Sequence, residues 1–127
     1  MEELILKSKK DTPHIVCRDG EISMHGNSIL ADPKAFFLPV SQWVEEYVTT
    51  KPKMTEVELN FDYVDTASVQ SIFSILKILK KIPGYENRVV VNWYYEFDDP
   101  ELLEVGEIMQ TRLNLNFNFI EQASPEK

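Results

Sequence analysis

The residues of this 127-residue chain with the chemistry to act on something are a run of carboxylates, two histidines, one thiol and one compact cluster of hydroxyls. Asp98, Asp99, Glu101, Glu104 and Glu107 follow the aromatic segment ending at Phe97, and hard cations take clustered carboxylates. A helix start explains the same run better. Asp98 or Asp99 caps the helix, Pro100 fits its first turn, and Glu101 meets the positive end of its dipole. His14 and His25 fall on separate expected strands, with no Cys or carboxylate at the spacing of a known ligand set or nucleophile-base pair. Cys17 reads as a strand residue, and a single cysteine forms no internal disulfide. Gly20, Gly26, Gly84 and Gly106 are isolated from one another, so no glycine-rich phosphate loop exists. The expectation is a protein without catalysis, cofactor or metal.

The remaining candidate is Asp65-Thr66-Ala67-Ser68, where alternating strand residues give way to small polar ones. Asp65 or Thr66 serves as a helix cap through its side-chain oxygen. A covalent phosphate placed here would also meet unpaired backbone amides and the positive end of a helix dipole, and would add nearly two negative charges to the surface. Such a group would alter binding and leave the fold intact.

Several elements must hold that cluster in place. Residues 12–17 and 21–25 read as a hairpin turning at Arg18, Asp19 and Gly20. From Pro33 to Val48 the apolar residues fall on one helical arc, and Pro39 inside it suggests a kink or a late start. Val57, Leu59, Phe61 and Tyr63 alternate with Glu56, Glu58, Asn60 and Asp62, the period of a strand with one wet face. A second helix spans about Ser68 to Ile82 before Pro83 and Gly84. Val89 to Tyr95 is the next strand, Pro100 to Arg112 a third helix, and Leu115 to Phe119 the last strand. The order is ββαβαβαβ, an α/β chain in one domain over residues 1–127. Right-handed crossovers passing on one side of a mostly parallel sheet give a turn of βα superhelix, with helices mainly on one face. Glu56, Glu58, Asn60, Asp62, Asn92, Tyr94, Asn116 and Asn118 should look out from the other.

The second helix carries more apolar surface than one sheet requires. Its residues from Val69 to Ile82 cover well over half its circumference, whereas a helix packed on a sheet needs a stripe of ~100°. The excess around Ile75, Ile78 and Ile82 either packs on neighbouring helices or forms a docking surface.

Composition limits the partners. Thirteen basic against twenty-one acidic residues give a net charge of -8, which opposes nucleic acid and anionic membranes. No segment approaches the ~18 consecutive apolar residues of a membrane span, and no signal peptide is recognisable. A soluble, cytoplasmic protein with protein partners is expected.

The segments "GEISMHGNSILADPKAFFLPVSQWVEEY", "VELNFDYVDTAS" and "VVVNWYYEFDDPELLEVGE", in this order of elements, resemble the SiaC family of bacterial regulatory phosphoproteins, similar in fold to STAS-domain anti-sigma-factor antagonists. The resemblance covers nearly the whole chain. It implies a threonine, here Thr66, that a dedicated serine/threonine kinase phosphorylates and a PP2C-type phosphatase restores. It further implies that the unphosphorylated form binds an effector, a diguanylate cyclase in one branch, and that phosphorylation ends this binding; the expected partner surface is Asp65, Thr66 and Ser68 with the Ile75, Ile78 and Ile82 flank. The family sequence at this point is Asn-Thr-Ser-Ser, so a carboxylate replaces an amide beside the acceptor, and Ser68 is a second, weaker acceptor candidate. An antagonist acting on an anti-sigma factor, a small-ligand-binding domain and a structural dimer are the alternative readings. The dense aromatics Phe36, Phe37, Trp43, Phe61 and Trp93 favour a filled core over a ligand cavity.

Overall fold

The computed structural model describes residues 1–123. Six strands, β1 (Leu4–Leu6), β2 (His14–Arg18), β3 (Glu21–Ser28), β4 (Thr55–Val64), β5 (Val89–Glu96) and β6 (Asn116–Gln122), form one sheet in chain order. Four helices join them: α1 (Pro33–Thr49), α2 (Thr66–Leu79), α3 (Tyr85–Arg88) and α4 (Pro100–Leu113). The sheet is mixed. β1, β2 and β3 pair antiparallel, and the parallel arrangement expected for most of the sheet holds from β3 through β6.

Alternation in the strands sorts the two faces. Ile22, Val57, Val91 and Phe117 lie side by side in register and are buried. The neighbouring row, Ser23, Glu58, Asn92 and Asn118, lies on the opposite face, where none is fully buried. Glu58 is not stranded there: it accepts hydrogen bonds from Asn92 Nδ2 and, at 2.6 Å, from the Tyr94 hydroxyl. Asn118 donates to Asn92 Oδ1 at 3.0 Å. This bond to Glu58, followed by burial and the negative charge nearby, pushes the Tyr94 hydroxyl up to about 12. Helices cover the other face, as the strand alternation requires.

The helices begin where sequence chemistry directs. Asp32, Asp65 and Asp99 each accept a backbone amide three residues ahead and so cap α1, α2 and α4. α1 starts at Pro33 and includes Pro39, so that proline does not delay the helix. α2 starts two residues earlier than the apolar run suggests and ends at Leu79, with Lys80, Lys81 and Ile82 continuing as tight turns. Asn114, in the left-handed region at φ 55°, ends α4 through its amide bond to the Gln110 carbonyl. Halfway along α4, Gly106 lies so close to Trp93 that an added Cβ would stand 2.7 Å from the indole. The indole nitrogen donates to the Leu102 carbonyl at 3.0 Å, which fixes α4 against β5.

β1 and α3 are absent from the sequence reading. β1 is only three residues of unbroken "LIL", without the alternation that marks a half-buried strand, and α3 is one turn directly after Pro83-Gly84.

Candidate functional site

β4 delivers the chain to the hydroxyl cluster and α2 carries it away. Asp65 sits in extended conformation at φ -82° and ψ 167°, and Thr66 is the first helical residue. The cap is therefore Asp65, with Oδ1 accepting the Ser68 amide at 2.8 Å and Oδ2 accepting the Leu30 amide at 3.2 Å. Partial burial works against the charged carboxylate, but hydrogen bonding from Ser68 and from the Leu30 amide outweighs it and holds Asp65 below the usual carboxylate range. Because Val69 N bonds to Asp65 O and Ser68 N to its side chain, Thr66 N and Ala67 N are left, among the described residues, as the open donors of the first turn.

The two hydroxyls of the cluster have opposite settings. Thr66 is exposed. Ser68 is fully buried, donates to the Ser28 carbonyl at 3.2 Å and accepts from the Ser28 hydroxyl at 2.8 Å. Ser68 is thereby removed as an accessible acceptor, because a phosphate there would have to displace both bonds within a packed junction of β3 and α2. Thr66 opens onto a depression that it shares with Asp62, Tyr63, Asp65, Asp99 and Glu101. The walls are acidic, with apolar patches from Val69 and Val105.

The expected docking flank needs correction. Ile75 and Ile82 are 1% and 2% exposed, and only Ile78 is partly accessible. α2 is the middle helix, with α1 and α4 both packed against it, so its wide apolar arc is consumed by three neighbours: the sheet and two helices. The apolar surface beside Thr66 that reaches solvent comes from residues outside the expected flank. Val69 and Phe73 on α2 face Val105, Ile108 and Met109 on α4 across a shallow groove. Ile108 is 48% exposed and Tyr63, next to the cluster, 57%. The Val105–Ile108 pair, three residues apart on α4, was the available signal for Ile108.

The other candidate groups separate. Asp99 Oδ1 accepts the Leu102 amide at 3.1 Å, so its carboxylate has the capping role. Among the described residues no three His, Cys, Asp or Glu side chains gather as a metal-ligand group. His14 and His25, on separate strands as expected, face each other across β2 and β3 with ring centroids 5.0 Å apart. Cys17 is buried, and burial pushes its thiol up to about 12, which removes it from nucleophilic chemistry at neutral pH. Among the described residues no helix is long and apolar enough to cross a membrane.

A sequence profile for the SiaC family regulatory phosphoproteins matches residues 6–122. The chain belongs to the SiaC family. A protein of Pseudomonas aeruginosa strain UCBPP-PA14 without an assigned role is 27% identical over 99% of this chain and 100% of its own length. Among solved structures, SiaC of Pseudomonas aeruginosa shares 27% identity and superposes with a TM-score of 0.78, covering 98% of this chain and 100% of that one. Apo-SiaC from the same organism gives 0.82 at 24% identity, over 94% and 99% of the two chains. The fold also matches, at a TM-score of 0.81 and 22% identity over 94% and 99% of the chains, in the crystal structure of the diguanylate cyclase SiaD in complex with its activator SiaC. The SiaC description makes this chain a regulatory phosphoprotein, and Thr66 is the exposed hydroxyl of its capped segment.

Proposed function

We propose that this chain is a non-enzymatic switch in which Thr66 carries the regulatory phosphate. The observation that carries the reading is the exposure of Thr66 at the first residue of α2, with the neighbouring Ser68 buried, in a member of a family of regulatory phosphoproteins. A serine/threonine kinase transfers the terminal phosphoryl group of ATP to Thr66 Oγ1: the new P–O bond forms, the bond to ADP breaks, and the hydroxyl proton passes to a base of the kinase. A PP2C-type phosphatase hydrolyses the ester and returns the hydroxyl and inorganic phosphate.

Unphosphorylated, the protein binds and activates an effector in the cytoplasm. A diguanylate cyclase is the effector that the likeness to SiaC in complex with SiaD supports. The surface around Thr66 suits a protein interface, since exposed Tyr63 and Ile108 and the α2–α4 groove supply apolar contact beside polar groups. Adding a phosphate to a depression already holding Asp62, Asp65, Asp99 and Glu101 makes this edge of the interface strongly anionic. Burying that charge against a partner without matched cations opposes association by several kcal/mol as an order of magnitude. Mass spectrometry of protein isolated from its host, followed by binding of the phosphorylated and unphosphorylated forms to a diguanylate cyclase of the same host, tests the reading. A phosphate located elsewhere, or equal binding by both forms, would overturn it.

A further inference from the structure

The capping aspartate of α2 does something the other two capping aspartates do not. Besides holding the Ser68 amide, Asp65 reaches out of its own helix to the amide of Leu30, in the turn between β3 and α1. The same junction is closed by Asp65 N donating to the Ser28 carbonyl at 3.0 Å and by the buried Ser28–Ser68 hydroxyl pair. Two residues beyond Leu30, Asp32 caps α1. A short path of hydrogen bonds and chain thus runs from the residue beside Thr66 to the start of another helix. Between the starts of α1 and α2 lies a groove lined by Lys34, Phe37, Leu38, Ala67 and Gln70.

We propose that Asp65 is the latch through which phosphorylation of Thr66 is transmitted to the β3–α1 turn: the phosphate drives the carboxylate off the Leu30 amide and changes the groove between α1 and α2. The proposal rests on the reading of Thr66 as the modified residue. Its physical basis is competition at one helix end. The open amides of Thr66 and Ala67 attract a phosphate, which then stands beside a carboxylate of the same sign. Of the two bonds that Asp65 accepts, the one to Ser68 is shorter, at 2.8 Å, and lies within the favourable field of the helix end. The one to Leu30 is longer, at 3.2 Å, and crosses to a surface turn. The Leu30 bond is the one that yields. The Ser28–Ser68 pair is neutral and buried, so it stays closed and keeps the change local to the turn.

Amide hydrogen exchange read by NMR tests the latch on the full chain, with phosphothreonine installed at position 66 during synthesis so that no kinase is needed. Exchange of the Leu30 amide should accelerate by about tenfold or more on phosphorylation, while amides of β5 remain unchanged. Asp65→Ala should produce the same acceleration without phosphate. Asp65→Asn, which keeps one capping oxygen and folds more safely, should also release Leu30 while retaining protection at Ser68. Persistence of Leu30 protection in the phosphorylated protein or in both variants would overturn the latch, and so would a general rise extending into β5. Absence of phosphate from Thr66 in protein taken from its host would instead defeat the parent reading, so the two failures are distinguishable.

Discussion

The three long helices of this protein all begin on an aspartate, and two of them continue with proline. Asp32-Pro33 and Asp99-Pro100 start α1 and α4, and Asp65-Thr66 starts α2. Proline at the first helical position presents neither an amide donor nor a hydroxyl, so these two starts offer nothing to modify. The α2 start has both: an exposed hydroxyl and an open amide. It is also the only one of the three whose capping carboxylate accepts a second bond, from Leu30, among the described residues. Identical local chemistry therefore gives two inert helix starts and one that is open to modification and tied to a distant turn. The difference is one residue type plus one tertiary bond.

The comparison breaks first at the level of binding. Phosphorylated Thr66 should lose effector affinity by a factor of about 100 or more, whereas Thr66→Ala should bind within about threefold of the unmodified protein and accept no phosphate. Calorimetric titration of the three forms against the cyclase measures it. An Ala variant as weak as the phosphorylated form would mean that the hydroxyl, not the added charge, is what the partner needs.

A smaller effect separates the aspartates. Asp65→Ala should destabilise the fold by about 1–2 kcal/mol, and Asp99→Ala by about 1 kcal/mol, because the former removes two acceptors and the latter one. Urea denaturation of both variants reads the difference. The gap also depends on pH. The folded-state carboxyl of Asp65 titrates below its unfolded value, so its contribution is complete above about pH 4 and is lost as pH falls through the lower, folded value. Wild type and Asp65→Ala should converge in stability across that acid window.

The smallest effect sharpens the comparison most. Thr66→Pro would turn the α2 start into a copy of the other two. The extended backbone of Asp65 is the conformation a residue before proline adopts, and Thr66 N takes no part in the helix ladder. Stability should change by less than about 1 kcal/mol, with phosphorylation abolished. Thermal melts and a kinase assay check both halves. Unfolding of this variant would show that the Thr66 amide has a structural partner.

The start of α2 was legible in the sequence because two periods meet there: alternation through Phe61 and Tyr63, then helical spacing from Val69. The polar face of the sheet was legible for the same reason, from Glu58, Asn92 and Asn118. The fate of Ile75 and Ile82 was not. The width of an apolar arc states how much of a helix is covered, not by what, and α2 lies between α1 and α4 only once the sheet has set their order. Ser28 is forty residues from Ser68, and nothing in either neighbourhood announces their hydrogen bond. The His14–His25 pairing likewise depends on a register fixed by the hairpin turn. Local chemistry was readable, and contacts made by strand register were not.

The sheet order, identical to the order of the strands along the chain, has a consequence for synthesis. Each new strand joins the edge left by the one before it, and none is inserted between strands already paired. The sheet can therefore grow in the direction of translation, with no long segment waiting unpaired for a late partner. Asp65 and Ser68 find all their hydrogen-bond acceptors and donors outside α2 in Ser28 and Leu30, which leave the ribosome first. The Asp65–Ser68 segment thus acquires its bonding partners before β5, α4 and β6 have been made.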